Sequence, residues 1–335
     1  MKNIILIIVF LSSYVSLGQT PSNDPHWETL WEDNFDFYDA TRWIKANYGI
    51  HGNEPQIYLT SNVFCLNGNL ILKANNNIVT CPPNPIQTTW ACGLATPGQT
   101  YPYNSGWVET NTLNNIQFGY IEARIKLPEC NDDMFPAFWT WRGNNVSTIN
   151  ETEIDIFEMI GALNTNLYTT NIHINYPDSR FQLLSPINYN YTDYHLYGIE
   201  WSSSKLIWYL DGIPIRISDN PGVISQARVI FNLALKDNIN PTIPTHFPKE
   251  MLIDYIKVYK LKNDCNTDMN VCNYDFSTHD NRVKKSITIG NGTCTNTIFT
   301  GQNVFLRASE GVLINGDFTT SIGSELYIDV NPCYE

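Results

Sequence analysis

The chain has 335 residues, eight cysteines and a formal net charge of −13. That length buries a full core and leaves room for a second, smaller unit. The charge argues against nucleic acid or an anionic membrane surface as partner, because both need clustered Lys and Arg, and it favours a neutral substrate over a sulfated one.

The first residues read as an export signal. Lys2 gives a positive start, Ile4 to Leu17 an apolar stretch broken by serines, and Ser16-Leu17-Gly18 a small-residue cleavage context, so residues 1–18 are expected to be removed. No later segment reaches the roughly 20 apolar residues that a membrane-spanning helix needs. The expectation is a secreted or cell-surface protein without a membrane span, acting as a monomer. In an exported chain the cysteines suggest disulfides, and they divide evenly into an early set (Cys65, Cys81, Cys92, Cys130) and a late set (Cys265, Cys272, Cys294, Cys333). The pairing within each set stays open, with Cys81–Cys92 one possible bridge. The absence of any CxxC pair argues against structural zinc.

From Trp27 to Leu261 short alternating segments are punctuated by Gly, Pro and Asn, with no sustained helical period, which is an all-β pattern. In Tyr120 to Leu127 the apolar Ile121, Ala123, Ile125 and Leu127 point one way and Glu122, Arg124 and Lys126 the other. Leu206 to Ile217 reads as a hairpin turned by Asp211-Gly212, a pair that tolerates the positive φ angles of a type I′ turn. Many short strands in this span favour a two-sheet sandwich. Aromatic residues make up 13% of the chain, and many lie where they line a groove as readily as they fill a core. After Lys262 the character changes to Asn, Asp, Thr and Gly, with strand-like pieces at Ser286–Ile289, Val304–Ala308, Val312–Ile314 and Leu326–Val330. A boundary near Asn263 therefore separates residues 19–262 from a small β-rich module, 263–335, in which no acid pair or recognisable site stands out.

The stretch Glu153-Ile154-Asp155-Ile156-Phe157-Glu158 carries the chemistry. In a strand, Glu153 and Asp155 share a face while Ile154 and Ile156 anchor the other, and Glu158 faces the wrong way. One extra residue accommodated as a β-bulge around Ile156-Phe157 restores the parity and brings all three carboxyls onto one face. Three acids in a row repel one another and gain nothing as structure. Glycosidic cleavage, by contrast, asks for two carboxyls flanking the scissile bond, about 5 to 5.5 Å apart when one is a nucleophile. A middle acid that holds a proton or hydrogen bond tunes the outer pair so that one is ionised and the other protonated. On these residues alone, an ordinary solvated strand face remains the competing reading.

The residues resemble glycoside hydrolase family 16 over most of Trp27 to Leu261. Glu153 to Glu158 is similar to the bulged form of that family's active-site motif. Trp31-Glu32-Asp33-Asn34-Phe35, Gly52-Asn53-Glu54-Pro55-Gln56-Ile57-Tyr58 and Leu66-Asn67-Gly68-Asn69-Leu70 resemble its opening blocks. Ser105-Gly106, Phe118 to Arg124 and Pro136-Ala137-Phe138-Trp139 resemble the approach to the motif, and His195 to Trp201 and Asp254 to Tyr259 its closing strands. The resemblance implies a concanavalin A-like jelly-roll sandwich with an open groove and retaining endo-hydrolysis of a β-linked polysaccharide. Glu153 would be the nucleophile, Asp155 the assisting acid and Glu158 the acid/base, with no cofactor needed for catalysis. It further implies that Trp139, Trp107, Asn53 and His173 border the substrate, although core packing accounts for Trp139 equally well and a structural role for His173 nearly as well. His195 is assigned to structure. Glu32 and Asp254 are candidate ligands of a structural calcium ion, for which hard oxygen donors suit.

Two positions depart from the family pattern. Trp107 stands where laminarin-cleaving relatives often carry an arginine, and Phe135 where a tryptophan often precedes Pro-Ala. Both alter the groove wall and leave the catalytic trio intact, as does the long insert from Cys81 to Tyr103 at one groove end. A β-1,3-glucan of the laminarin type is the first substrate expectation and a red-algal galactan such as agar, porphyran or carrageenan the second. Transglycosylation, and a non-catalytic carbohydrate-binding sandwich, are the other readings.

Overall fold

The computed structural model describes residues 27–111, 114, 116–130, 134–143, 151–159, 168–175, 178–180, 182–184, 189–236, 247–262, 264–276 and 279–330. The expected signal segment and Cys333 lie outside these. The alternating pattern gives two antiparallel sheets of eight strands each. The outer sheet runs Ile213–Asp219, Lys205–Leu210, Tyr194–Trp201, Gly119–Lys126, Lys249–Leu261, Asn69–Ala74, Val63–Leu66, and Trp27–Asp33 also pairs with Lys249–Leu261. The groove sheet runs Asp178–Ser179, Tyr168–Ile174, Thr152–Glu158, Met134–Arg142, Arg228–Leu235, Trp107–Thr110, Trp43–Lys45, and Gln182–Leu184 also pairs with Tyr168–Ile174. This is the two-sheet sandwich that the alternating pattern predicts and the jelly roll that the family resemblance implies.

The alternation fixes which side chains meet between the sheets. Ile121, Ala123, Ile125 and Leu127 are all buried there, facing Phe138, Ile154, Phe157, Ile172 and Phe231 of the groove sheet. Phe138 stacks on Phe231 at 4.6 Å between ring centroids, and Phe157 meets Tyr197 of the outer sheet at 4.4 Å. Each such large apolar side chain contributes roughly 1.5–3 kcal/mol by leaving water. The hairpin turn at Asp211-Gly212 has φ of 51° and 77°, the positive pair a type I′ turn requires.

The cysteines correct one expectation. Cys81 and Cys92 are separate thiols, each turned toward a backbone carbonyl, Ala95 O at 3.6 Å and Ile50 O at 3.4 Å, and Cys65 and Cys130 are thiols too. The insert is held by strand pairing instead: Val79–Thr80 pairs with Thr100–Tyr101, and Gly93–Leu94 with Gly49–Ile50. In the late set Cys272 is bonded to Cys294, and Cys265 is also disulfide-bonded.

Residues after 263 form strands of a different kind. Asp264–Val271, His279–Ile289, Asn303–Ile314 and Glu325–Val330 make a parallel sheet, and Thr295–Ile298 lies parallel to Asp317–Thr320. Parallel neighbours joined by short connections mean that the chain coils, each turn stacking on the last. The Cys272–Cys294 bridge spans 22 residues of that coil. Inside, Met269, Phe276, Ile287, Ile289, Ile298, Val304 and Leu306 form a core of their own. The stack rests on the outer sheet, away from the groove, through an apolar seam of Trp27, Tyr120, Ile207, Tyr209 and Tyr259 with Phe305, edged by Leu261 and Tyr327. At that seam the Arg307 guanidinium pairs with the Glu200 carboxylate and Ser204 donates to Asp329.

Candidate active site

The strand Thr152–Glu158 carries the site, and its local sequence explains how. It pairs with Met134–Arg142 as Glu153↔Trp141 and Asp155↔Trp139, but then Phe157↔Phe138 and Glu158↔Ala137. The other neighbour shows the same break, from Asp155↔Asn171 to Glu158↔Thr169. Ile156 is the extra residue, so Ile154, Ile156 and Phe157 all enter the core while Glu158 returns to the face of Glu153 and Asp155. At the break, the Trp208 indole of the outer sheet donates to the Asp155 carbonyl at 2.9 Å, and Thr169 Oγ1 donates to the Glu158 carbonyl at 3.0 Å. The bulge that the residue pattern required is therefore bonded from both sides.

Register carries this face across the sheet as three rows of side chains. One runs His173, Glu153, Trp141, Arg228; the next Asn171, Asp155, Trp139, Ile230, Glu109; the third Thr169, Glu158, Ala137, Asn232, Trp107. Along these rows the three carboxyls are followed by three tryptophans, Trp141, Trp139 and Trp107.

Around the carboxyls, His173 Nε2 lies 3.5 Å from Glu153 Oε1 and 3.6 Å from Asp155 Oδ2. The ring is oriented by Asn171 Nδ2 at 3.0 Å, and Asn171 Oδ1 accepts from Ser179 Oγ and from the Ile172 amide, both at 2.9 Å. The side chains of Asp155 and Glu153 are 2% and 17% exposed. Burial first, and then the charges of Glu158 and Glu151, push Glu153 up to about 8, against which the hydrogen bond to Asp155 works. Burial and the neighbouring Glu153 hold Asp155 well above the carboxylate range. Burial and the charge of Asp155 do the same for Glu158, with Thr169 opposing. Three buried carboxyls cannot all ionise. Within the inner pair the hydrogen bond favours the ionised form of Glu153 and the protonated form of Asp155, the more buried of the two. One donor atom each from Glu153, Asp155 and His173 falls within 4.8 Å of the others, the one such group among the described residues. Two of the three are acids of the motif strand, and the third is the histidine paired with Glu153 across the sheet.

The remaining expected residues are placed as follows. Trp139 and Trp107 lie on the groove side but are buried, edge to face at 5.5 Å, with Trp139 Nε1 donating to Asn232 Oδ1 at 2.7 Å. His51 covers them, its ring 5.3 Å from Trp107 and 5.8 Å from Trp139. Asn53 is exposed on the turn after His51. Glu32 and Asp254 are not brought together: Glu32 faces Lys257 at 3.8 Å and Asp254 bonds Arg124 at 2.6 Å. His195 is tied to Asp211 and the Asn190 carbonyl, as a structural histidine would be.

Sequence reasoning missed Trp141, which shares the face of Trp139 two residues earlier, stays partly exposed beside Glu153, and donates to Glu151 Oε1 at 3.0 Å. Its ring lies flat on Gly143, where an added Cβ would fall 1.4 Å from the ring. It also missed His51 and the buried Glu109.

Comparison with known proteins agrees with this geometry. The model of glycosyl hydrolases family 16 matches residues 57–231. Endo-1,3-1,4-beta-glycanase EglC of Rhizobium meliloti is 29% identical over 49% of this chain and 35% of its own length. The kappa-carrageenase of Pseudoalteromonas carrageenovora is 24% identical over 68% of this chain and 62% of its own. Among solved structures, the catalytic domain of an endo-1,3-beta-glucanase (laminarinase) from Thermotoga petrophila is 27% identical, with a TM-score of 0.60, covering 71% of this chain and 99% of that one. The chain spans between about a third and a half of the length of several curated relatives it matches. With the bulged acid strand, the sandwich and the family match in agreement, the chain belongs to glycosyl hydrolases family 16.

Proposed function

We propose that the protein is a secreted retaining endo-glycanase that cuts a neutral β-linked glucan, with β-1,3-glucan of the laminarin type the first substrate. The observation that carries the reaction is the bulged strand with three carboxyls in graded environments. Glu158, kept protonated, donates its proton to the glycosidic oxygen as the bond to the anomeric carbon breaks. Glu153, ionised beside the protonated Asp155, attacks that carbon and forms a glycosyl ester. Water, deprotonated by the now anionic Glu158, then releases the sugar with its β configuration restored. Proton and nucleophile both come from side chains, so the reaction calls on no cofactor.

The preference for a neutral chain rests on the groove rows. Their one guanidinium, Arg228, faces the buried Glu109 at 3.6 Å and is not available to a sulfate. A sulfated or anhydro-galactan is the second reading, and transglycosylation a third if an acceptor sugar outcompetes water. Among the described residues no helix is long and apolar enough to cross a membrane.

The test is product release from laminarin, mixed-linkage β-glucan, agarose, porphyran and κ-carrageenan, with a Glu153→Gln control. Oligosaccharides from laminarin or mixed-linkage glucan, absent in the control, are expected. Cleavage of a galactan alone would overturn the substrate, and cleavage of none would overturn the activity.

A further inference from the structure

The insert that the family motifs leave unexplained ends on the groove floor. Its segment Gln87–Cys92 crosses the edge strand Trp43–Lys45, where Thr88 Oγ1 donates to the Lys45 carbonyl at 2.8 Å and accepts from the Asn47 amide at 3.0 Å. Gln87 Nε2 ties the segment to itself through the carbonyls of Thr89, at 2.7 Å, and Cys92. The Trp90 and Ala91 amides then donate to the two oxygens of Glu109, at 2.6 and 3.2 Å, and the Trp107 indole adds a third donor at 3.2 Å. Glu109 is fully buried and sits on the middle groove row. Its burial raises its pKa while these donors and Arg228 oppose the rise. A buried carboxylate with three N–H donors fixes a backbone firmly.

What this anchoring holds in place is an exposed aromatic ring. Trp90 is 49% exposed, and the Arg228 guanidinium lies 4.9 Å from its ring centroid. Arg228 stands on the row that begins His173, Glu153, Trp141, two strands from the nucleophile. Strands lie about 4.8 Å apart, so this point is roughly 10 Å along the row from Glu153, with Trp141 between them. Single exposed apolar side chains are common, but the backbone of this one is fixed by a buried carboxylate and its ring is backed by a guanidinium. A flat ring backed by a cation on one face offers the other to the apolar face of a sugar.

We propose that Trp90 is a distal sugar-binding platform of the groove, a few rings from the scissile bond, and that with Trp141 it sets the chain length the enzyme prefers. The inference rests on the glycanase reading above. The ligand class is a pyranose unit of the β-glucan being cut, recognised by stacking and not by charge, since Arg228 is engaged with Glu109 and with the ring.

The test is kcat/KM for β-1,3-gluco-oligosaccharides of increasing length, measured on the full chain and on Trp90→Ala and Trp90→Phe. The amides of residues 90 and 91 still bond Glu109 in both variants, so the loop keeps its anchor. The wild type is expected to gain at the length that first reaches Trp90, and Trp90→Ala to lose that increment, roughly tenfold for one well-packed aromatic contact. Trp90→Phe should restore most of it. A length profile in Trp90→Ala parallel to the wild type would overturn the platform while leaving the glycanase reading in place, and so would a uniform loss at every length together with a lower unfolding temperature. A wild type that cuts no glucan would remove the glucan reading and this inference with it.

Discussion

The seam between the sandwich and the C-terminal stack makes a quantitative prediction. Arg307 and Glu200 have side chains 8% and 3% exposed and form an ion pair; besides it, Glu200 accepts the Tyr209 hydroxyl at 3.2 Å. Arg307→Ala leaves that carboxylate buried with a single hydroxyl for company, which costs about 3–5 kcal/mol. At roughly 2 °C per kcal/mol for a chain of this size, the unfolding temperature falls by about 6 to 10 °C. The cost is capped by the free energy of docking, because the stack can lift off and let water reach Glu200. In that event cleavage by a protease in the connection between Leu261 and Asp264 accelerates instead. Replacing both residues together, as Arg307→Met with Glu200→Leu, removes the lone charge and should recover most of the loss. Calorimetry and limited proteolysis read the two outcomes. An Arg307→Ala protein with unchanged unfolding temperature and unchanged proteolysis would refute the reasoning, as would a double variant whose loss is the sum of the singles.

Three further outcomes follow from the site and the insert. Gly143→Ala forces the Trp141 ring off its seat, so kcat/KM should drop by roughly ten- to a hundredfold while the unfolding temperature holds; an unchanged rate would show that Trp141 does not contact the sugar. Because Glu153 is raised from its usual 4.5 to about 8 and Asp155 and Glu158 are raised too, the folded protein binds more protons than the unfolded chain. Stability from the protonated trio is therefore present below the usual carboxylate range and lost as pH climbs toward about 8. Asp155→Asn removes one of these groups and should flatten that decline, read as unfolding temperature against pH, while abolishing most activity; parallel curves would contradict it. Finally, alkylation of the unfolded, unreduced protein should label Cys65, Cys81, Cys92 and Cys130, and mass spectrometry that finds a Cys81–Cys92 bridge would contradict the structure.

Much of the sandwich was readable because its signals are local. Alternation in Ile121 to Leu127 fixed one face, Asp211-Gly212 fixed a turn, and the parity mismatch between Asp155 and Glu158 required a bulge where register now places it. The groove was less readable, since a tryptophan in a strand has the same letter whether its ring is buried or wet. Trp139 proved buried beneath His51, and Trp141, two residues on, is the ring left partly exposed beside Glu153. Which of them is covered depends on a turn some ninety residues earlier in the chain. The calcium candidates failed to converge for the same reason: Glu32 and Asp254 each acquired a cationic partner from a neighbouring strand. The coiled stack left a faint trace that was passed over. Gly301 and Gly323, both at positive φ, recur at the same point of successive turns, the Gly301 amide bonding the Gly323 carbonyl at 2.8 Å. Cys81 and Cys92 were close enough in sequence to invite a bridge, and only the strand pairing of the insert shows why they point to different carbonyls.

The most direct measurement of the central claim is azide rescue of Glu153→Gly and Glu158→Gly on an aryl β-glycoside of a gluco-oligosaccharide. If Glu153 is the nucleophile, azide enters the space it vacates and yields the α-glycosyl azide. If Glu158 is the acid/base, its variant still forms the glycosyl ester, azide attacks from the opposite face, and the product is the β-glycosyl azide. That pair of configurations is the predicted result. The reverse pair would exchange the two roles, and no rescue in either variant, with the wild type active, would contradict assignment of the reaction to this strand.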